Sequence, residues 1–192
     1  MARAKGPKYE SAFRRRRENK TNFAKRLALV KSGLPRMVIR RGSTSLVVQF
    51  VKYSEKGDKV IVGANSAALK KFKWAPRANV PTAYLTGLYA GRLAKKNGVK
   101  EFVLDMGLSA PVKNSVAFAA QKGALDSGLS ASHGEGLTDE GRISGTHIEE
   151  YAKSLDESEY KKRFSSYLRD GFKPRDFVSH FKASKEAILK EA

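Results

Sequence analysis

Positive charge is concentrated at the N-terminal end of the chain, and this limits how that end can fold. Residues 1–41 carry fourteen Lys and Arg side chains but only two Glu, a net charge of +12 out of +19 for all 192 residues. Successive like charges repel, and the first seventeen residues offer little apolar surface for collapse. The sequence therefore predicts a basic N-terminal arm, residues 1–17, that is extended or disordered until a polyanion binds it. Tyr9 and Phe13 interleave with the cations, and aromatic and guanidinium planes both stack on unpaired bases.

The rest of the composition narrows the class of protein. A chain of 192 residues with a hydrophobic content of 41% can bury a core, so we expect one domain with extensions. No apolar run approaches the ~20 residues that cross a bilayer, and no signal peptide is evident, so we expect a cytosolic protein. The absence of cysteine excludes disulfides, thiolate zinc sites and a cysteine nucleophile. The charge makes nucleic acid the expected partner.

Three short runs of β-branched and aromatic residues follow the basic region, separated by segments typical of turns. The runs are residues 37–40, 46–53 and 59–63. We predict that they form an antiparallel meander, and that residues 102–104 form a further, buried strand. Four helices are predicted around them, at residues 18–31, 66–71, 81–96 and 116–127.

Small residues are spread along the predicted helix at 81–96, which has Pro81 in its first turn and Asn97-Gly98 as its C-terminal cap. Gly87 and Gly91 cost helix propensity, but they let another backbone approach closely. Three meander strands followed by helix, strand and helix predict an α/β fold, a mixed sheet with helices packed on it.

The composition changes at residue 130. Residues 130–145 contain four glycines and several acidic residues, which predicts a linker or surface loop. Short amphipathic helices are predicted beyond it, at residues 148–155, 157–169 and 175–190. We therefore divide the chain into the arm at 1–17, an α/β core at 18–129, and a linker with a helical C-terminal extension at 130–192.

The principal alternative is a nuclease or another RNA-processing enzyme, which the same basic charge would suit. Two-metal phosphoryl transfer requires several carboxylates converging on ions about 4 Å apart, and Asp105 has no second carboxylate near it in sequence. The three histidines, His133, His147 and His180, have no metal-ligand spacing, and there is no P-loop. We expect no catalytic site, metal or cofactor. A membrane-surface or DNA-architectural role is disfavoured by the folded core and by a basic cluster confined to one end, although composition cannot separate RNA from DNA.

Several blocks of sequence, in order along the whole chain, resemble one family. They are residues 13–22 (FRRRRENKTN), 83–88 (AYLTGL), 104–108 (LDMGL), 123–129 (GALDSGL), 147–151 (HIEEY) and 159–167 (EYKKRFSSY). This pattern is similar to the large-subunit ribosomal proteins numbered eighteen in the universal nomenclature, in their archaeal form, which are relatives of the eukaryotic large-subunit protein numbered five. The last block resembles the longer archaeal and eukaryotic form, since bacterial members end near residue 129.

The resemblance implies a protein that binds 5S rRNA and helps attach it to 23S rRNA in the central protuberance, beside neighbouring large-subunit proteins. It implies RNA contacts from the arm and from the turn after residue 40. The predicted RNA-binding residues are Lys5, Lys8, Tyr9, Arg14, Arg15, Arg16, Arg17, Lys20, Lys25, Arg26, Arg40, Arg41, Ser43, Thr44, Lys73, Arg77, Asn79, Lys113 and Asn114.

The C-terminal segment, residues 130–192, gives a different expectation. Its last 49 residues contain ten basic and nine acidic side chains, which offers little counterion release compared with the arm. Seven Tyr and Phe side chains and Leu168 lie between residues 151 and 181, too many for so small a segment to bury all of them by itself. We expect a partner surface to cover some of them, so that this segment docks on the rest of the subunit and the arm grips 5S rRNA.

Overall fold

A four-stranded mixed sheet organises the protein. The computed structural model describes residues 6–7, 9–134, 136 and 138–191. The strands are β1 (Arg36–Arg41), β2 (Leu46–Lys52), β3 (Lys59–Asn65) and β4 (Val103–Asp105). Their order is β3-β2-β1-β4, with β1 antiparallel to β2, β2 antiparallel to β3, and β4 parallel to β1. The predicted meander, the later strand and the α/β class are confirmed.

Nine α-helices lie within the described residues. They are α1 (Arg14–Arg17), α2 (Phe23–Lys31), α3 (Val80–Lys96), α4 (Val116–Asp126), α5 (Glu140–Ser144), α6 (Thr146–Ser154), α7 (Glu157–Arg163), α8 (Ser165–Arg169) and α9 (Phe177–Glu191). Two 3₁₀ helices, Ser66–Phe72 and Pro174–Asp176, precede α3 and α9. Among the residues that the structure describes, no helix is long and apolar enough to cross a membrane.

One face of the sheet carries the main core. Met37, Val48 and Phe50 are fully buried beneath α3, and the ring of Phe50 meets the edge of Phe102 at 5.5 Å between centroids. Alternation along the strands places these residues on a single face, since successive side chains point to opposite sides. The other face is therefore left to the N-terminal region.

The helices α3 and α4 cross with their backbones in contact, as the small residues of α3 predict. A methyl group added at Gly87 would overlap the carbonyl oxygen of Ala120, and one added at Gly123 would overlap the carbonyl oxygen of Tyr84. Asn79 caps the start of α3 by accepting a hydrogen bond from the Thr82 amide at 3.1 Å.

The N-terminal region differs from the prediction in two ways. Arg14–Arg17 forms one helical turn, so the expectation of an extended arm through residue 17 is wrong for these residues. The next helix begins at Phe23, because Asn22 caps it by accepting from the Lys25 amide and Asn19 takes a left-handed conformation at φ 50°. No residue of α2 is fully buried, and Leu27 is exposed, so its apolar side is not part of the core.

The C-terminal segment also differs from the prediction. The expected loop at 130–145 contains α5, whose Ile143 joins the core cluster. The surface that covers most of its aromatic side chains is the core of the same chain and not an external partner, while Tyr151 is 42% exposed. Phe172, Phe177 and Phe181 pack around Trp74, with ring centroids 5.3, 5.1 and 6.1 Å from it. These rings cover the core of the same chain and need no partner to bury them.

Candidate nucleic-acid interface

The second face of the sheet opens into a groove. The strand register places Arg36, Val38 and Arg40 of β1 opposite Val51, Gln49 and Val47 of β2, and all six point to this face. The groove has a volume of about 710 Å³. Its opposite wall is formed by residues of α1 and α2, and the loop after β4, residues 106–109, closes one end.

Basic side chains dominate the lining of this groove. Seven are basic and two are acidic: Arg15, Lys20, Lys25, Arg26, Arg36, Arg40 and Arg41 against Asp58 and Asp105. Lys25, Arg40 and Arg41 are exposed and have no ion-pair partner among the residues that the structure describes. Cations that are not neutralised within the protein remain available to an anionic ligand.

A buried arginine fixes the position of the groove walls. The guanidinium of Arg36, whose side chain is 5% exposed, donates to Asp105 at 2.5 Å and to Asp58 at 2.5 Å. Asp58 also accepts from Arg26 of α2 at 2.9 Å. Asp58 lies in the β2–β3 turn and Asp105 is the last residue of β4, so this network connects α2, that turn and the end of β4. It also occupies both carboxylates of the groove, which explains Asp105 as a structural residue.

The turn between β1 and β2 lies next to the exposed cations of β1. The amide of Gly42 donates to the carbonyl of Ser45 at 2.8 Å, which closes the turn and leaves Ser43 and Thr44 exposed at its tip. Arg40 and Arg41 immediately precede it. The turn therefore presents two hydroxyl groups beside two guanidinium groups.

The arm residues outside the groove are also exposed to solvent. Arg14, Arg16 and Arg17 share the single turn of α1 with Arg15, and Tyr9 and Phe13 precede it. Phe13 is 79% exposed, and its ring contacts the ring of Phe23 at 6.2 Å between centroids. Lys5 and Lys8 lie outside the described residues, so their predicted role stays a prediction.

Six of the predicted RNA-binding residues thus line one groove. They are Arg15, Lys20, Lys25, Arg26, Arg40 and Arg41. Eleven other described residues do not line it: six belong to the arm and the β1–β2 turn described above, and five lie in other loops. Lys73, Arg77 and Asn79 lie between the first 3₁₀ helix and α3, and Lys113 and Asn114 lie in the loop before α4.

Arg77 and Asn79 already have partners within the chain. The Arg77 guanidinium donates to Asp170 at 2.6 Å and to the carbonyl of Ser166 at 2.7 Å, and it lies 4.9 Å from the ring centroid of Tyr167. The Asn79 side-chain amide donates to the hydroxyl of Tyr167 at 3.0 Å. These contacts hold α8 against the start of α3, so in this structure neither side chain is directed to an external ligand.

The charges at this contact shift the acidity of its members. The hydrogen bond from Arg77 lowers the pKa of Asp170 below its ordinary value. Burial raises the pKa of Tyr167, although the nearby Arg77 charge opposes the rise. Both shifts favour the ionic and hydrogen-bonded form of the contact near neutral pH.

Lys73, Lys113 and Asn114 have other environments. Lys73 is exposed and takes a left-handed conformation at the end of the first 3₁₀ helix, with φ 58°. Lys113 is exposed, and the Asn114 side chain accepts from the Asp139 amide at 2.7 Å, which connects the loop before α4 to the start of α5. Their RNA-binding role stays a prediction, and none of the three lines the groove.

Sequence reasoning missed two residues of the groove, Arg36 and Gln49. The signal for Arg36 was present, because it lies four residues before Arg40 and strand alternation places both on one face. Nothing in sequence separated Gln49 from an ordinary outward-facing polar residue. Its importance follows only from the strand register, which sets it at the groove floor.

Groups that could support catalysis are not gathered in the part of the chain that the structure describes. No cluster of three His, Cys, Asp or Glu side chains there could hold a metal ion. A groove rimmed by unpaired cations, set between a basic arm and the open face of a mixed sheet, defines a protein that binds a polyanion through charge and shape.

Comparisons with known proteins identify the family. Residues 7–103 match the sequence model of the ribosomal large subunit proteins 60S L5 and 50S L18. Large ribosomal subunit protein uL18 of Methanothermobacter thermautotrophicus is 46% identical over 190 residues, covering 98% of this chain and 99% of that protein. Its counterpart in Methanococcus maripaludis is 46% identical over 190 residues, covering 97% and 98%. The chain belongs to the uL18 family, in its archaeal form.

This membership settles the class of function. The chain is a structural constituent of the large ribosomal subunit, a family without enzymatic activity, and its place is the cytoplasmic ribosome. The resemblance drawn from the sequence blocks is confirmed, and so is the expectation that the protein is not an enzyme.

Proposed function

We propose that the protein binds 5S rRNA through the basic groove and the arm, and helps attach it to 23S rRNA in the central protuberance, beside neighbouring large-subunit proteins. The observation that carries this proposal is the groove, where the exposed and unpaired Lys25, Arg40 and Arg41 converge with other basic side chains, among them Arg15 of α1. Ribosomal RNA is the polyanion available to a large-subunit protein, and the resemblance to 5S-binding proteins selects 5S rRNA.

The groove and the arm have different roles in this proposal. The groove volume of about 710 Å³ lies in the range of about 300–1,000 Å³ that holds a drug-sized ligand, so it suits a few nucleotides of one strand and not a duplex. The arm residues Arg14, Arg16 and Arg17 lie on an exposed turn beside it and contact phosphates of adjoining RNA. The domain division at residues 17 and 129 is part of this proposal, with the arm and core as the RNA-binding portion.

Salt dependence of binding tests the proposal. The triple variant Lys25→Gln, Arg40→Gln and Arg41→Gln removes three groove cations, and affinity for 5S rRNA is expected to fall with a salt slope shallower by about three. The matched control, Lys161→Gln, Lys162→Gln and Lys182→Gln, removes the same charge from exposed positions of the C-terminal segment. Equal losses in the two variants would show that net charge, and not the groove, is responsible.

The choice of RNA requires a second comparison. Native protein should bind 5S rRNA more tightly than an unrelated folded RNA of the same length at the same salt concentration. Equal affinity for both RNAs would reject 5S rRNA as the specific partner while leaving the groove as a general RNA-binding surface.

A further inference from the structure

We propose that Gln49 reads the edge of one unpaired RNA base at the floor of the groove and thereby supplies sequence discrimination that the surrounding cations cannot. The inference rests on the proposed function, because it requires RNA to enter the groove. Arg and Lys contacts to phosphates fix position but carry no sequence information. A side-chain amide offers a donor and an acceptor side by side, which is the pattern that Gln uses to pair with adenine.

The strand register places Gln49 at the centre of the open face. It pairs with Val38 on β1 and with Gly63 on β3, and all three positions are on the groove side of the sheet. Gln49 is half-buried and lines the groove together with Val38, Val51 and Val60. An amide with apolar neighbours is partly shielded from water, which strengthens any hydrogen bond that it makes to a ligand.

The glycine beside Gln49 provides the space in which the Gln49 side chain lies. Its Cγ is 3.7 Å and its Nε2 3.8 Å from the position that a Cβ of residue 63 would occupy. Because Gly63 has no side chain, Gln49 can extend across β3 with its amide at the surface of the groove. A planar base in the groove can then approach the amide edge-on while its phosphates remain at the basic rim.

Two of the other neutral polar side chains in the groove are already engaged. Thr21 accepts a hydrogen bond from Arg15 at 2.7 Å, and Asn22 caps α2. Ser109 lies in the exposed loop at the end of the groove. For Gln49 the structure has no hydrogen-bond partner among the described residues. A half-buried amide of this kind gains most when a ligand satisfies both its donor and its acceptor, and loses most when a base satisfies neither.

Unpaired RNA suits such a site. Sequence-specific RNA recognition uses bases that have left the helical stack, because the major groove of an A-form helix is too deep and narrow for side chains. The size of the groove admits such a base and its flanking phosphates. Exposed Lys25 and Arg41 lie at the rim, where the phosphates of the same strand would be held.

Binding selection on a mutagenised RNA pool tests this inference. Full-length protein is incubated with 5S rRNA carrying random point substitutions, and the bound molecules are sequenced to give a penalty for each nucleotide change. Gln49→Met keeps the length of the side chain but removes both hydrogen-bonding groups. The expected result is that the penalty at one unpaired position shrinks by about tenfold or more, with the salt slope unchanged. Thermal unfolding verifies that the variant is folded.

Lys25→Met is the matched control, since the same residue replaces a rim cation of the groove. It is expected to weaken binding of all pool members by a similar factor and to lower the salt slope by about one. A Gln49→Met profile parallel to that of the native protein would overturn the base-reading role and leave the proposed function intact. If Lys25→Met also binds like the native protein, RNA does not use the groove, and both proposals fail. Failure of native protein to prefer 5S rRNA rejects the proposed RNA partner alone.

Discussion

The N-terminal region and the C-terminal segment use the same residue types in opposite ways. Both combine arginines with aromatic rings. In the N-terminal region Phe13 is 79% exposed and the cations beside it face solvent. In the C-terminal segment Arg175 donates to Glu157 at 2.6 Å and lies 4.4 Å from the ring centroid of Tyr160, which is itself buried. The presence of these residue types does not distinguish the two regions, whereas the contacts that each side chain makes within the protein do.

This difference assigns a role to each end. A cation whose charge is already balanced by a carboxylate of the same chain releases few counterions on binding RNA, and a buried ring cannot stack on a base. The C-terminal segment therefore contributes to the stability of the protein, and the proposed RNA binding is assigned to the N-terminal region. The aromatic side chains of this segment complete the core of the same chain, so their burial gives no reason to expect a separable docking element, and a docking role stays a prediction.

Truncation after His133 gives the largest expected effect. It removes α5 to α9 and exposes Trp74, together with the core that Phe172, Phe177, Phe181 and Ile188 cover. At about 1.5–3 kcal/mol for each fully buried side chain, the loss is about 6 kcal/mol or more, comparable to the whole stability of a domain. Trp74 is the single tryptophan, so its fluorescence should shift to the red and the cooperative thermal transition should be lost.

Deletion of residues 1–17 is the control for that truncation. No residue of α1 is buried, so the melting temperature and the tryptophan emission should stay as in the full chain, while RNA affinity falls and its salt slope flattens. A truncated protein without the C-terminal segment that still melts cooperatively would contradict the comparison and restore the docking interpretation.

A pair of phenylalanines gives the next largest effect. Phe177 is fully buried against Trp74, and Phe177→Ala should lower the free energy of unfolding by about 3–5 kcal/mol. Phe13→Ala makes the same chemical change at an exposed ring and should alter it by less than about 0.5 kcal/mol. Urea denaturation of both variants measures the two values. Similar losses would mean that the two regions are equally integrated into the fold.

A pair of arginines separates stability from binding. Arg77→Met removes the ion pair with Asp170 and the stacking on Tyr167, and should cost about 1–2 kcal/mol of stability with no change in the salt slope of RNA binding. Arg41→Met should leave stability unchanged and lower the slope by about one. The two measurements are made on each variant. A lower slope for Arg77→Met would return this residue to the RNA-binding set.

Lowering the pH is expected to have the smallest effect on stability, and this effect comes from carboxylates of the C-terminal segment. Hydrogen bonds from Lys153 and from the Val178 amide lower the pKa of Glu149 below 4.5, and Arg77 lowers the pKa of Asp170 below 3.8. Because each folded-state pKa is depressed, the stabilisation is present above these ordinary values and is lost as the pH falls through the lower folded values. The pH dependence of the urea midpoint from pH 6 to about pH 2.5 should be flatter for Glu149→Gln combined with Asp170→Asn. An identical curve in that variant would assign the acid sensitivity to other groups.

The sequence predicts those parts of the fold that depend on local pattern. Alternating β-branched runs define the meander, and Pro81 with Asn97-Gly98 delimit α3 within one residue. Small residues along α3 indicate its close packing on α4. Each of these signals involves residues only a few positions apart, so the sequence of a single chain is enough to recognise it.

The parts that sequence did not predict depend on contacts between distant residues. Residues 140–144 look like a glycine-rich loop, but burial of Ile143 against α3 makes them a helix. Arg77 resembles an RNA-binding loop residue until Asp170, 93 positions later, is placed beside it. The groove was predicted as a set of cations and not as a surface, because the register that aligns Gln49 with Val38 and Gly63 is a property of the sheet.

The crossing of α3 and α4 has a consequence for how this protein can vary. Gly87 and Gly123 each lie against a backbone carbonyl of the opposite helix, so any larger side chain must separate the two helices along their length. Helix propensity alone favours alanine at both positions, by about 1 kcal/mol each. A saturation library selected for growth should therefore accept only glycine at these two positions and tolerate many residues on the solvent side of the same helices. The contact between these two helices therefore cannot change by the gradual enlargement of side chains through which most protein cores diversify.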